Sequence, residues 1–129
     1  MEIISLHLAG STKCEGQAFL RRVMAEGMEL NSSDLYLLRD KDNQYDANAV
    51  QVWSNRNGER VRLGFIKKEQ APVIANYLDH GWDARITYHN ICGSAVTNYG
   101  LYFTACMTSP AERNQALDSY QLRLRKIPF

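Results

Sequence analysis

An excess of charge is the first thing missing. Fifteen lysines and arginines stand against 14 aspartates and glutamates, a net charge of +1 over 129 residues. A protein that coats duplex DNA without regard to sequence carries a far larger positive excess, because each phosphate it neutralises needs a cation. Any nucleic-acid site on this chain must therefore be local and short. Cysteine is also scarce. Cys14, Cys92 and Cys106 are odd in number, widely spaced and never arranged as CxxC, which argues against a zinc ribbon or a redox motif. Reduced, mostly buried thiols are the expectation. No apolar run approaches the roughly 20 residues of a membrane span, and the opening MEIISLHLAG lacks the basic-then-apolar pattern of a secretory signal. A soluble chain in the cytoplasm or on the nucleoid is expected, with no membrane partner. Catalytic signatures are lacking as well: there is no G-x-S-x-G, no Walker loop and no paired histidine. A non-enzyme without cofactor or metal is expected. His89-x-x-Cys92 offers two ligand types without a partner pair. Asp40-x-Asp42-x-Gln44 fails as a calcium loop, with Tyr45 where glycine and Gln51 where glutamate would be required.

What is present suffices for one packed domain. Hydrophobic residues make up 45% and charged residues 22%, too apolar for disorder. Glu2 to Leu8 reads as a first strand, followed by a loop bracketed by Gly10 and Gly16. In Gln17–Glu26, Phe19 with Val23 and Leu20 with Met24 stand four apart, which predicts a helix stopped at Gly27. Leu35–Arg39 and Ala49–Trp53 read as strands on either side of the polar turn segment 40–48. Asn55 to Gly58 signals a hairpin turn. Arg60–Ile66 alternates, placing Val61, Leu63 and Phe65 inward and Arg60 and Arg62 outward. From Lys68 to Asp79 the stripe Ala71, Ile74, Ala75, Leu78 predicts a helix with Pro72 in its first turn. Ala84–Tyr88 and Tyr99–Met107 predict two further strands joined by a loop over Cys92–Asn98. Ser109 should cap a last helix, Pro110–Ser119, and the basic tail Tyr120–Phe129 is either an edge strand or a frayed end. The count predicts a mainly β fold with helices: a small antiparallel β-barrel, OB-like or SH3-like, with two to three helices packed on it. The barrel domain should span residues 1–108, with a helical insertion at 17–33 and a C-terminal helix and tail at 109–129.

DNQYDANAVQV at Asp42–Val52, followed by RLGFIKKEQAPVIANYLDHG at Arg62–Gly81, resembles the core signature of the HIRAN family. Arg39, Asn43, Tyr45, Asp46, Asn48, Ala49, Gly64, Phe65, Lys68 and Glu69 fall in register with it, and Gly10 and Gly16 match a glycine pair that brackets a loop after the first strand. The resemblance runs from about Leu8 to Met107. It implies an OB-like barrel that binds single-stranded DNA, with capture of a free 3′ end in a member fused to an SNF2-type remodelling helicase.

The resemblance also implies roles. Asp46 matches a carboxylate that accepts the hydrogen bond of a terminal 3′ hydroxyl, and a carboxylate there would repel a continuing phosphate. Tyr45 matches an aromatic on which the last base stacks. Lys67 and Lys68 match phosphate-holding cations at a helix start, where free N–H groups would help. The Gly10–Gly16 loop departs from the pattern: where the family places an arginine and a tyrosine, this chain has Thr12 and Lys13. An aromatic in the last hairpin has only Tyr88 or His89 as candidates. The segment Gln17–Ser33 is an insertion relative to the helicase-fused member and would cover or extend the groove. Arg56–Lys68 holds five basic residues and one acid, so Arg60 and Arg62 are candidate phosphate contacts. Asn43, Asn48 and Gly64 read as turn builders, and Phe65, Trp53 and Val61 as core. Two functions follow as expectations: a binder of single-stranded DNA, its 3′ end included, acting in DNA repair, replication or mobile-element biology beside a helicase or nuclease; or a protein-interaction module that kept the fold and lost the site.

Overall fold

A computed structural model of the chain describes residues 1–94, 96–115 and 117. The strands are β1 (Glu2–Ala9), β2 (Leu35–Arg39), β3 (Val50–Arg56), β4 (Glu59–Ile66), β5 (Asp83–Ser94) and β6 (Asn98–Thr108), with helices α1 (Gly16–Glu26) and α2 (Ala71–Asp79). They form one antiparallel sheet in the order β2-β3-β4-β1-β6-β5, curled into a half-barrel. A third helix starts after Ser109, whose Oγ accepts the Glu112 N–H at 3.1 Å as an N-cap. The helix is described over 110–115; the tail expected at Tyr120–Phe129 lies outside the described residues.

β1 is the pivot of the sheet. Its residues Glu2 to His7 pair with β6, and Leu8 and Ala9 then pair with β4. Where the neighbours part, backbone groups lose ladder partners, and two glutamines supply them. The Gln70 amide accepts the His7 N–H and donates to Ser5 O, both at 2.9 Å. Gln17, almost fully buried, accepts the Tyr99 N–H at 2.9 Å and donates to Tyr99 O at 2.5 Å. Phe19, Leu20 and Val23 of α1 pack beside Gln17 in the core formed with Leu6, Leu63, Phe103 and Ile74. Each such burial stabilises by about 1.5–3 kcal/mol. Gly27 ends α1 with φ of 62°, as its position predicts. The segment 17–33 thus serves the interior of the half-barrel.

The edge strands β2 and β5 are bridged by a short 3-10 turn, Ser32–Asp34. Its Ser32 Oγ shares a 2.6 Å hydrogen bond with His89 Nδ1 on β5.

Five expectations need correction. The alternation in β4 breaks at a bulge: Val52 faces Gly64 and Trp53 faces Arg62, leaving Leu63 as the extra residue. One inserted residue reverses the faces that follow. Val61 and Leu63 are buried as expected, but Ile66 takes the next inward position and Phe65 turns outward beside Arg62. Gly64 is therefore a strand residue, not a turn residue; a Cβ there would lie 2.4 Å from Ala9 O. Trp53 is likewise outside the core, on the outer face opposite Tyr36. α2 begins at Ala71, three residues after Lys68. The N–H groups of Gln70 and Ala71 both bond Lys67 O, at 2.9 and 3.0 Å, so these two donors beside the lysines are already engaged. Finally, Cys92 to Ser94 belong to β5, which makes the β5–β6 hairpin longer than its apolar pattern predicts.

Candidate nucleic-acid interface

The polar segment 40–49 is a built loop. Asn43 Oδ1 accepts the N–H groups of Tyr45 and Asp46, each at 2.9 Å. Its Nδ2 donates to Asp40 Oδ2 at 3.2 Å, and Gln51 donates to the same oxygen at 3.1 Å. Asp46 Oδ1 accepts the Asn48 N–H at 2.9 Å, so Asn48 is held by the turn that Asp46 makes. Arg39 clamps the loop from below. Its guanidinium donates to Ala47 O at 2.7 Å, Ala49 O at 3.0 Å and Asp40 O at 3.3 Å. The same group reaches Asp79, at the end of α2, at 3.0 and 3.4 Å. The fork shape of arginine permits all of these at once.

On this rigid loop Tyr45 is 95% exposed. Its backbone is fixed while its ring makes no packing contact worth the name. The second oxygen of Asp46 has no hydrogen-bond partner among the described residues. The loop faces an open groove of about 720 Å³. Gly10, at φ 70°, turns the chain from β1 into the 3-10 turn Ser11–Lys13 and brings Lys13 to the same groove. β4 contributes Arg62 and Phe65, and Lys68 follows. The Arg62 guanidinium stands 5.5 Å from the centre of the Phe65 ring.

Five residues nominated from sequence therefore meet: Tyr45, Asp46, Lys13, Arg62 and Lys68. Thr12, Lys67, Arg60 and His89 do not line the groove. Thr12 and Lys67 are exposed at its margins in sequence. Arg60 lies over Trp53 on the outer face of the sheet. His89 is committed to Ser32 across the sheet edges, and burial holds its imidazole below the ordinary 6.5, with Asp34 opposing in part. The segment 17–33 leaves the groove open and lines a separate hollow. Phe65 and Asp40 were missed as groove residues. The signal for Phe65 was Gly64, since a glycine inside an alternating strand marks a bulge. Three cations, two carboxylates and an exposed aromatic thus surround one hollow.

The HIRAN domain family model matches residues 10–124. The chain belongs to the HIRAN domain family. That family is associated with DNA binding, and HIRAN is a binding domain. The crystal structure of the HIRAN domain of human HLTF aligns with a TM-score of 0.52 at 22% identity, covering 98% of this chain and 91% of that one. It shares the half-barrel fold. The crystal structure of a protein from Lactobacillus plantarum aligns with a TM-score of 0.48 at 19% identity, over 81% of this chain and 98% of the other. A search of curated proteins finds no match.

Proposed function

We propose that this HIRAN domain captures the 3′-hydroxyl end of a single DNA strand in the Tyr45–Asp46 groove and acts by binding, without turnover. The exposed Tyr45 ring on a clamped loop is the observation that carries the reading. A terminal base stacks on it whatever its identity, a contact worth about 1–3 kcal/mol. The open oxygen of Asp46 accepts the terminal hydroxyl, and Lys13, Arg62 and Lys68 neutralise the phosphates behind it. The family's arginine and tyrosine are absent from the Gly10–Gly16 loop, but Lys13 supplies a cation and Phe65 an aromatic surface in the same groove. That compensation favours a working site over a protein-interaction module that has lost one. Three phosphate contacts imply a slope of log affinity against log salt of about −2. Such a module would bring a helicase or nuclease to a DNA end.

Fluorescence anisotropy with short oligonucleotides tests this. A 3′-hydroxyl strand should bind more tightly than the same strand with a 3′-phosphate, which meets the Asp46 carboxylate. In Asp46→Asn the difference should vanish. Equal affinity of the wild-type chain for the two ends would refute end capture.

A further inference from the structure

The groove does not use everything aromatic and basic on this face. Outside it, on the outer surface of β2, β3 and β4, the Tyr36 and Trp53 rings stack with centres 6.3 Å apart and planes 16° from parallel. The Arg60 guanidinium lies 5.9 Å from the Trp53 ring and donates to Tyr36 Oη at 3.1 Å. Trp53 Nε1 donates to Gln51 at 2.7 Å. These residues adjoin the groove through the sheet itself. Trp53 pairs with Arg62, and Gln51 with Phe65, and Arg62 and Phe65 already line the groove. The bulge at Leu63 puts Phe65 on this outer face and so joins the two surfaces.

We infer that the Tyr36–Trp53–Arg60 face is a second nucleic-acid surface, which carries the internal nucleotides of a strand whose end sits in the groove. Stacked aromatics alternating with arginines suit a run of bases and phosphates irrespective of sequence. The cation this face adds is Arg60, beside the Arg62 that lines the groove, and the one acid at the strand's end, Glu59, is engaged by Arg22. A base docks on the Arg60 guanidinium plane or takes its place on Trp53, and the freed arginine then meets phosphate. A half-buried aromatic pair with an exposed arginine over one ring offers a stacking platform that the arginine can vacate. The inference rests on the groove reading and extends it from the end of the strand to its interior.

Length separates the two. The full chain is titrated with oligothymidylates of two, four, six and eight nucleotides, all with 3′ hydroxyls. The tetranucleotide, whose three phosphates match the three groove cations, reports the groove alone. The six- and eight-mers should bind about ten-fold or more tightly than the tetranucleotide, as one added stacked base allows. Their salt slope should be steeper by about 0.7, for the one further phosphate that Arg60 meets. They should also quench the Trp53 emission. Trp53→Phe should leave only the emission of Trp82 and abolish the quench. Arg60→Glu, an exposed change, should remove the gain beyond four nucleotides while leaving the tetranucleotide affinity within two-fold. Tetranucleotide binding with no gain from further length, or a gain untouched by Arg60→Glu and without quenching, overturns this inference and leaves end capture standing. Absence of binding at every length at low salt overturns both.

Discussion

Arg39→Lys should unmake the binding loop while keeping the charge. Arg39 makes three bonds to carbonyls of the loop and its surroundings and two to Asp79, with only 15% of its side chain exposed. An ammonium cannot reach these acceptors from one position, because its donors radiate from a single nitrogen. Two of the carbonyl bonds are partly shielded from water, and a bond to a charged donor contributes about 1.5 kcal/mol or more net. The ion pair with Asp79 is discounted, since solvent reaches that carboxylate. The loss works out at about 2–3 kcal/mol. Melting entropy is about 2.1 cal/mol/K per residue, which over 129 residues is about 0.27 kcal/mol/K. The melting temperature should therefore fall by about 7–11 °C in calorimetry. Oligonucleotide affinity should fall too, at temperatures where the variant is folded, because Tyr45 and Asp46 lose their fixed base. Arg39→Lys that melts within 1 °C of the wild-type chain and binds DNA equally well would refute the clamp.

Three further outcomes are expected. Tyr45→Ala should lower oligonucleotide affinity about 5- to 150-fold without moving the melting temperature, because a ring 95% exposed has little packing to lose; a stability change equal to the binding change would contradict this. Gly16→Ala should prevent stable folding, since its Cβ would stand 1.8 Å from Leu63 O; a soluble variant with the wild-type circular dichroism and melting curve would show that α1 sits elsewhere. The neutral His89 ring, held below 6.5 mainly by burial, should make stability pH-dependent. As pH falls below about 6.5 the unfolded chain protonates first, so the stabilisation present above that value is lost toward the folded pKa. His89→Gln should flatten the melting temperature between pH 7 and 5, and parallel wild-type and variant curves would count against the Ser32–His89 latch.

Local periodicity carried much of the fold into view. The β2 boundaries, the stop of α1 at Gly27, the stripe of α2 and the cap at Ser109 all follow from rules that act within a few residues. So does the β3–β4 hairpin, where Asn57 and Gly58 both take positive φ. What stayed hidden depends on contacts distant in sequence. Nothing near Gln17 shows that its amide will complete the ladder at Tyr99, 82 positions away, and nothing near Arg39 points to Asp79.

The candidate site divides along the same line. Tyr45, Asp46 and Lys13 are legible through the family resemblance alone, and the structure adds that Asn43 and Gly10 shape the loops that carry them. Two-residue alternation carried through Gly64 assigns Phe65 to the core, whereas the bulge turns it outward. The residue count from Val61 is correct but the phase is not, since a bulge adds a residue without changing composition. That single inserted residue has a functional consequence. Without it, Phe65 would be buried, Ile66 would face solvent, and the groove would end at Arg62. With it, an aromatic lies between the Tyr45 loop and the Trp53 face, so that the end-binding hollow and the outer stacked rings become one surface. Glycine at position 64 permits this, because any side chain there would collide with Ala9 O. A residue that looks like part of a family signature is thus the backbone condition for the shape of the site.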